Sequence, residues 1–353
     1  MKKKIITLSL VAVMSVSLLA GCGKTEEATT AAATEATTEA ATETTTEAVT
    51  EAVSEAATET ATSNDALNSD KPTQDRSGND IVISDEVNKI VSMAPSTTRY
   101  LIDLGLADKI VAVDTNSYAY IELLPTGVQQ FDMMSPDNEA LVALQPDIIF
   151  TSGMSSYGGE DVFQPARNAG ICVADIPSST SFAEIVADLQ FIGAAVGETE
   201  KSDELIKEFE AKVDELNAVG STITEKKSVL FMISLPTADY PTIYTFGKGT
   251  YLDEMVTGIG ATNVTGDQEG WVSISEEEAI AMNPDVIVTN VNYVEDAVNV
   301  IKNAAGWENV NAIKNDEVYY IDADASNQPN NHVVDAMIEM AKKVYPDQFA
   351  DFQ

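Results

Sequence analysis

The chain has 353 residues, with 20 Lys or Arg against 57 Asp or Glu, so its formal net charge is -37. This length suffices for two domains, and a hydrophobic share of 44% indicates a packed core. Because the acidic residues are spread along the chain, its surface repels phosphate backbones, which argues against nucleic acid as a partner.

The first residues have the pattern of an export signal. Three lysines at positions 2–4 precede an apolar run from Ile5 to Ala20, which is too short for a comfortable membrane span. The run ends in Leu19-Ala20-Gly21-Cys22, which resembles the bacterial lipobox. The resemblance implies a lipoprotein signal peptide over residues 1–21 and a lipid on Cys22, which would be the only membrane anchor on the outer face of the cell membrane. The alternative is an uncleaved anchor helix, and both place the rest of the chain outside the cytoplasm.

A tether is predicted after the signal peptide, over residues 22–66. Between Thr25 and Ser63 the chain consists almost only of Thr, Ala and Glu, and Glu recurs at every fourth position from 35 to 59. On a helix this spacing would stack like charges on one face. The segment also has too few large apolar side chains to offset the cost of ordering it, so we expect a solvated coil of about 35 Å.

The folded part begins near Ile81, where short apolar runs start to alternate with helical patterns. Strands that alternate with helices indicate βα units around a parallel sheet. The predicted strands are Lys89–Met93, Lys109–Val113 and Asp147–Thr151, and the predicted helices are Asn138–Leu144 and one that begins at Pro95 and stops at Gly105.

An internal repeat indicates two similar halves. The segment from Glu139 to Thr151 matches the segment from Glu277 to Thr289 at a constant offset of 138 residues. Each copy reads as a short helix, a Pro-Asp turn and a buried strand. We therefore predict two α/β lobes, an N-terminal lobe over residues 78–180 and a C-terminal lobe over residues 226–353.

A helical linker is predicted between the lobes, over residues 181–220. Its second part, from Thr199 to Val219, carries apolar residues at helical spacing. A helix of that length extends for about 30 Å. It could therefore cross from one lobe to the other and restrict how far they open.

From about Ile81 to Phe349 the chain resembles the helical-backbone periplasmic binding proteins, the substrate-binding lipoproteins of ABC transporters for iron siderophores, haem and vitamin B12. The resemblance implies an α/β fold of two Rossmann-like lobes with central parallel sheets, bridged by one long backbone helix, with a ligand cleft between the lobes. The motifs that carry it are Ile90-Val-Ser-Met-Ala-Pro-Ser96, Glu139 to Asp147, Gly247-Lys-Gly-Thr-Tyr-Leu-Asp253, Trp271-Val-Ser-Ile-Ser-Glu-Glu277, and Trp307 through Asp322.

The resemblance also implies how the protein meets its transporter. In the family each lobe presents an exposed Glu at its tip to an arginine pocket on one of two permease subunits, and Glu139 and Glu277 fall on those positions. The repeat supports this choice independently, because each of the two lies seven residues before its Pro. Glu276 and Glu278 flank the second one. The alternative is that both are ordinary solvated acids at helix starts.

The cleft is expected at the carboxyl ends of the strands, where α/β sheets bind ligands. Aromatic and methionine side chains there would suit a flat or apolar chelate, and amides its polar rim. The alternative for each residue is ordinary loop packing. The candidates are Tyr118, Tyr120, Met133, Met134, Tyr157, Tyr244, Trp271, Asn292, Tyr293, Gln328 and His332.

His332 is the only histidine of the chain, and it precedes what reads as the last helix. In the family this stretch borders the cleft and often bears a basic residue. His332 would then pair with an anionic ligand or ligate haem iron. The alternative is a surface histidine at a helix start.

No intrinsic cofactor and no bound metal ion are expected, because one histidine and one further cysteine cannot build the His-rich site of zinc and manganese receptors. The resemblance implies that the ligand is a ferric siderophore, with a corrinoid or haem as the next choices. The chain has few basic residues, which disfavours a strongly anionic chelate, although Arg99, Arg167 and Lys248 could contact one. The expected partners are an ABC permease dimer and its ATPase, and the receptor itself is expected to be a monomer.

Two other functions compete with this one. An enzyme is disfavoured because Gly153 to Gly158 departs from the nucleophile elbow by one residue, and Gly247-Lys-Gly249 lacks the third Gly of a dinucleotide loop. We assign no catalytic residue. A ligand-sensing or adhesive surface lipoprotein with the same fold remains open, and a neighbouring permease gene would favour transport over it.

Overall fold

The computed structural model describes residues 71–156 and 158–352, which belong to one compact unit, Ala66–Gln353. The predicted signal peptide, Cys22, the tether and Tyr157 lie outside the described residues.

The first lobe is built around a five-stranded parallel sheet whose three inner strands are almost entirely buried. Such unbroken apolar runs are typical of parallel strands covered on both faces. The strands are β1 (Ile90–Ser92), β2 (Ile110–Asp114), β3 (Gln129–Phe131), β4 (Ile148–Phe150) and β5 (Cys172–Ala174), in the order β3-β2-β1-β4-β5. The helices are α1 (Pro95–Asp103), α2 (Asn138–Leu144) and α3 (Gln164–Asn168), with 3-10 segments at Ala107–Lys109, Thr115–Leu123 and Gly153–Ser156.

Two helices, α4 (Phe182–Val196) and α5 (Thr199–Gly220), connect the lobes. Ser181 caps the start of α4 by accepting a hydrogen bond from Glu184 N, and Gly197 ends it in the left-handed region at φ 83°. The helices pack closely because Gly193 of α4 lies against Ser202, where a methyl group would overlap the serine side chain. α4 contacts α1, whereas α5 packs on the second lobe.

The second lobe repeats the design with a smaller parallel sheet and adds an antiparallel pair of strands. Its strands are β6 (Ser228–Met232), β7 (Thr242–Phe246), β8 (Thr262–Asn263), β9 (Trp271–Ser275), β10 (Val286–Thr289) and β11 (Val318–Tyr320). The parallel order is β11-β10-β6-β8, and β7 pairs with β9. Its helices are α6 (Tyr251–Gly258), α7 (Glu276–Met282), α8 (Ala297–Lys302), α9 (Asn311–Lys314), α10 (Ala323–Asn327) and α11 (Val333–Val344).

One apolar cluster runs through both lobes and the connecting helices. It includes Tyr100 of the first lobe, Ile192 and Leu216 of the connector, and Phe231 and Met337 of the second lobe. Each lobe also has a smaller cluster of its own. The two lobes therefore share a core and cannot separate without exposing apolar surface to water.

The predicted fold class, two α/β lobes with central parallel sheets, is confirmed. Helix α2 has the predicted bounds Asn138–Leu144, and β1 and β4 lie inside their predicted ranges. The antiparallel pair of β7 and β9 was not predicted. It lies beside the parallel sheet rather than in it, and it displays two aromatic side chains at the surface.

Candidate functional site

The loops at the carboxyl ends of both parallel sheets meet where the segment after β11 contacts the first lobe. Tyr120 Oη donates to Gln328 Oε1 at 2.5 Å, and Tyr100 Oη donates to the Pro329 carbonyl at 3.3 Å. Burial raises the pKa of Tyr120 to about 12, so it stays neutral and can donate. These contacts join the two lobes at what is here called the cleft base, where Tyr120 is buried and Gln328 is half-buried.

A charged network beside this base joins both lobes to the connector. His332 Nε2 lies 2.8 Å from Asp103 Oδ2 of α1, and His332 Nδ1 lies 2.8 Å from Asp335 Oδ2 of α11. Arg99 pairs with Asp103 (Nη2 to Oδ1, 2.9 Å), and Lys212 of α5 lies 3.6 Å from Asp335. Burial lowers the pKa of His332, but the hydrogen bonds to the two carboxylates overcome this and raise it to about 9. The protonated form of His332 is therefore favoured at neutral pH, against the opposing charge of Arg99, whose Nε lies 2.9 Å from Nε2. Both ring nitrogens of His332 have a carboxylate partner.

The second lobe contributes an aromatic shelf, formed by Tyr244 of β7 and Trp271 of β9. Their rings are stacked, with centroids 5.9 Å apart and planes at 18°, and Tyr251 meets Trp271 edge-on. The shelf is open to solvent, since Tyr244 is 38% and Trp271 43% exposed. A paired aromatic surface of this kind offers a flat apolar face to a ligand.

Near the shelf, the loop after β10 displays Asn292 and Tyr293, which are both exposed. The Tyr293 hydroxyl accepts a hydrogen bond from Leu235 N at 3.0 Å. This bond ties the loop after β10 to the loop after β6 at the carboxyl ends of their strands.

The first lobe contributes a cavity of about 500 Å³ at the carboxyl ends of β4 and β5, here called the first-lobe pocket. Arg167 beside it is held by Asp161 (2.9 Å) and Asp175 (2.7 Å). The Ser155 hydroxyl is buried and has no hydrogen-bond partner among the described residues. Most of the other lining residues are polar or small: Ser77, Asn79, Thr151, Ser152, Ser156, Gly159, Glu160 and Gln164.

The remaining candidates from the first lobe lie in different environments. Tyr118 and Met134 are 63% and 39% exposed, on the loops after β2 and β3. Met133, in contrast, is buried in the smaller apolar cluster of this lobe with Phe131 and Phe163. The structure thus brings Met133 to the core rather than to the cleft surface.

Two short helices carry equivalent acids on the two lobes. Asp137 caps α2 and Ser275 caps α7. Glu139 and Glu277 each occupy the second position of their helix, and both are exposed. Neither carboxylate has a hydrogen-bond or ion-pair partner among residues 71–156 and 158–352. Each helix leads back to the next parallel strand, so its start lies at the carboxyl ends of the sheet, on the same side as the cleft.

The ends of these two helices, and the Pro-Asp pairs that follow them, are also equivalent. α2 ends on Gln145 and α7 on Asn283, both in the left-handed region with φ of 49° and 47°. A Pro-Asp pair follows each, and its carboxylate accepts a hydrogen bond from a backbone amide at the start of a neighbouring strand. These bonds join Asp147 to Lys89 (2.8 Å) and Asp285 to Ser228 (3.0 Å).

The structure also distinguishes the three consecutive acids of the second lobe. Glu278 closes a capping box, since its carboxylate accepts from Ser275 N at 2.8 Å, and this bond lowers its pKa. Glu276 is partly buried. Glu277 is therefore the acid that matches Glu139, because it has the same position in its helix and its side chain is likewise exposed and unbonded within the described residues.

Comparison with known proteins agrees with this architecture. Residues 90–325 match the model of the family described as periplasmic binding protein. The chain belongs to this family. It is 33% identical over 279 residues to the ABC transporter substrate-binding lipoprotein YvrC of Bacillus subtilis, covering 78% of this chain and 86% of YvrC.

Two further relatives link the family to different solutes. The molybdate-binding protein MolA of Haemophilus influenzae is 25% identical, covering 80% of this chain and 87% of MolA. Its structure with bound molybdate superposes with a TM-score of 0.67 at 21% identity, covering 79% of this chain and 93% of that one. The structure of a possible iron-binding (periplasmic solute-binding) protein from Staphylococcus epidermidis superposes with a TM-score of 0.64 at 26% identity, covering 74% of this chain and 99% of that one.

Family membership makes this chain a substrate-binding protein of the ABC-transporter type. Within the part of the chain that the structure describes, no helix has the length and apolarity needed to cross a membrane.

Sequence reasoning missed the ion network around His332. The spacing of Arg99 and Asp103 on α1 and that of His332 and Asp335 on α11 were visible as helical pairs. That the two pairs meet depends on how the lobes pack, and no local pattern in the sequence carried that information.

Proposed function

We propose that this protein is the extracytoplasmic receptor of an ABC importer and that it captures a metal chelate in the cleft between its lobes. A ferric siderophore is the first choice of ligand, with a corrinoid or haem next. The receptor would pass its ligand to a permease dimer driven by an ATPase. No intrinsic cofactor takes part in this function.

The observation that carries the proposal is the pair of free glutamates on equivalent frameworks. Glu139 and Glu277 lie on helices with the same length, the same left-handed end and the same Asp anchor. Both stand at the side of the sheets where the cleft opens. A carboxylate in this position can make charge-assisted hydrogen bonds with an arginine of a permease subunit. Two such contacts, related by an approximate two-fold axis, suit a transporter with two equivalent subunits.

The exposed aromatic, methionine and amide side chains of the cleft loops favour a metal chelate as the ligand. The aromatic shelf of Tyr244 and Trp271 offers an open flat surface. Tyr118, Met134 and Tyr293 are exposed on other loops at the carboxyl ends of the strands. Asn292 adds an exposed amide. Small-molecule sites commonly combine such apolar faces with a few polar groups. Tyr120, Gln328 and His332 would form the base of the cleft, because their polar atoms are already bonded within the protein.

The proposal includes an anchored location. A lipid on Cys22 would hold the receptor to the outer face of the cell membrane, and residues 22–66 would act as its tether. The lipobox resemblance supports this, as does the relative YvrC, which is named a lipoprotein. Metabolic labelling with a clickable fatty acid should mark the wild-type chain and leave Cys22→Ala unlabelled. A labelled variant would refute the anchor.

Uptake measurements test the docking part of the proposal. In cells that lack the native copy, the double variant Glu139→Gln, Glu277→Gln should lose chelate uptake while the purified protein keeps its affinity. The matched control is Glu86→Gln, Glu225→Gln, which removes the same charge from exposed acids ahead of β1 and β6, at the opposite end of the sheets. Unimpaired uptake by the first variant would refute docking through these acids. If the protein binds ligand but supports no uptake even in its wild-type form, a sensing or adhesive lipoprotein becomes the better interpretation.

Binding can be followed through one tryptophan. The chain has two, and Trp307 is buried in the second lobe at 1% exposure, whereas Trp271 lies on the aromatic shelf. In a Trp307→Phe variant, saturable quenching by a chelate would report directly on the shelf. Saturable binding that leaves Trp271 fluorescence unchanged would place the ligand elsewhere.

A further inference from the structure

We infer that the ligand of this cleft is a neutral or cationic metal chelate and that chelates with a net negative charge are rejected. The inference rests on the proposed function, because it names the ligand class of the same cleft. It excludes three kinds of anion as ligands of this cleft: haem with its two propionates, ferric catecholates, and free oxyanions such as molybdate.

The loops that follow the carboxyl ends of the strands, here called the rim, are strongly acidic. The rim comprises residues 115–124, 132–137, 151–156, 158–163, 175–181, 233–241, 247–250, 264–270, 290–296 and 321–332. It contains only two basic residues, Lys248 and His332. Its acidic residues number thirteen: Glu122, Asp132, Asp137, Glu160, Asp161, Asp175, Asp239, Asp267, Glu269, Glu295, Asp296, Asp322 and Asp324.

The two basic residues of the rim are already paired with carboxylates. Lys248 Nζ lies 3.1 Å from Glu269, and His332 is held between Asp103 and Asp335 at 2.8 Å each. Each basic residue of the rim therefore already has a carboxylate partner that would compete with an anionic ligand.

The arginines do not supply a free cation either, because each of the three in the chain is held by an aspartate. Arg76 Nε lies 2.6 Å from Asp188, whose side chain is 4% exposed. The other pairs are Arg99 with Asp103 (2.9 Å) and Arg167 with Asp161 (2.9 Å) and Asp175 (2.7 Å).

An anionic ligand would have to share an arginine with its aspartate or break the pair. Arg167, at the first-lobe pocket, already has two carboxylate partners, whose side chains are 38% and 30% exposed. Breaking the pair of Arg76 or Arg99 would leave a carboxylate in a poorly solvated site, since the Asp188 and Asp103 side chains are 4% and 11% exposed. Stranding a buried charge is strongly unfavourable. The ligand would in addition face the excess of negative charge around the rim, which raises the energy of any anion that enters the cleft.

The polar groups that remain available suit uncharged or positive ligand groups. The Ser155 hydroxyl is 5% exposed, lines the first-lobe pocket and lacks a partner among the described residues. Glu160 lines the same pocket, is exposed, and makes no ion pair within the described part of the chain. The hydroxyl can bond a carbonyl or an amide, and the carboxylate can bond an ammonium group.

The aromatic shelf also favours a cationic ligand over an anionic one. The faces of Tyr244 and Trp271 carry the negative part of the ring quadrupole and so attract a cation. A neutral or positive chelate can therefore interact favourably with these groups, whereas an anionic chelate meets no rim cation that lacks a carboxylate partner.

The test compares chelates that share one scaffold and differ only in charge. Ferrioxamine B is cationic, its N-acetyl derivative is neutral and its N-succinyl derivative is anionic. Aquocobalamin, cyanocobalamin and a cyanocobalamin monocarboxylate form a second series with the same order of charge. Calorimetric titration of the full chain with both series should show at least one that binds, with the anionic member about tenfold or more weaker than its neutral counterpart. Haemin, ferric citrate and molybdate serve as further anions.

Salt dependence and one variant check that charge is the cause. Raising the salt concentration should weaken binding of the cationic member and leave the neutral one nearly unchanged. Glu160→Gln should weaken the cationic member by about threefold and spare the neutral one, since it removes one unpaired charge near the ligand. Glu86→Gln, at the opposite end of the sheet, is the matched control and should change neither.

The outcomes separate this inference from the function on which it rests. An anionic member or free anion that binds as tightly as any neutral or cationic chelate would overturn the charge inference and leave the receptor function standing. If no compound of the panel gives a saturable signal, the metal-chelate function fails and the charge inference fails with it.

Discussion

The network around His332 gives the protein a pH-dependent stability that can be measured. In the folded chain the hydrogen bonds to Asp103 and Asp335 overcome the effect of burial and raise the pKa of His332 from 6.5 to about 9. The folded state therefore holds this proton more tightly than the unfolded state does. The resulting stabilisation is complete below pH 6.5 and is lost as the pH rises through about 9.

The magnitude follows from the two pKa values. The difference between 6.5 and about 9 corresponds to about 3 kcal/mol of unfolding free energy. The Asp335 side chain is 49% exposed, so water screens part of its contribution. We therefore expect a loss of about 2 kcal/mol between pH 6.5 and 9, spread over the interval in which only the folded state keeps the proton.

The assay is urea unfolding of the wild type and of His332→Gln at half-unit steps from pH 6 to 9.5. Glutamine keeps a polar side chain at this position but cannot carry the charge. The free energy of unfolding of the wild type should fall toward that of the variant as the pH rises, and the difference between them should be small at pH 9.5. A difference that stays constant across the whole range would show that the network contributes no proton linkage and would refute the reasoning.

Three further predictions concern single side chains. Tyr120→Phe removes the hydrogen bond to Gln328 and should lower the free energy of unfolding by about 1 kcal/mol in urea titrations; no change would mean that the bond is replaced by water. Gly193→Ala places a methyl group against Ser202 between the connecting helices and should cost about 1–3 kcal/mol in the same assay; a neutral result would show that the helices move apart freely. Trp271→Ala removes half of the aromatic shelf and should weaken chelate binding by about tenfold in calorimetry, whereas unchanged affinity would exclude the shelf from the ligand site.

Patterns local in the chain predicted the fold class well. Apolar runs such as those of β4 and β10 belong to parallel strands buried on both faces, and the repeat predicted that this strand occurs once in each lobe. The Pro-Asp signal predicted the turn after each short helix. The structure gives its reason, because in each lobe the carboxylate of this pair binds a strand amide, Asp147 in the first lobe and Asp285 in the second.

The site was harder to predict because it depends on contacts between distant parts of the chain. Met133 reads as a loop residue after a strand, yet its side chain turns into the core of the first lobe. His332 reads as a free histidine at a helix start, yet Asp103, more than two hundred residues away, occupies its Nε2. Which loop side chains point outward is decided by packing, and the local sequence does not encode it.

The apolar cluster that runs through both lobes and the connector has a mechanical consequence. A receptor whose halves share one interior melts as a whole, so calorimetry of the folded part should record a single heat-absorption peak. Separating the two lobes would expose this shared core to water. We therefore expect thermal motion alone to open them seldom and to release a bound ligand slowly. If the proposed docking holds, the force that opens the lobes would come from the transporter, through its contacts with Glu139 and Glu277.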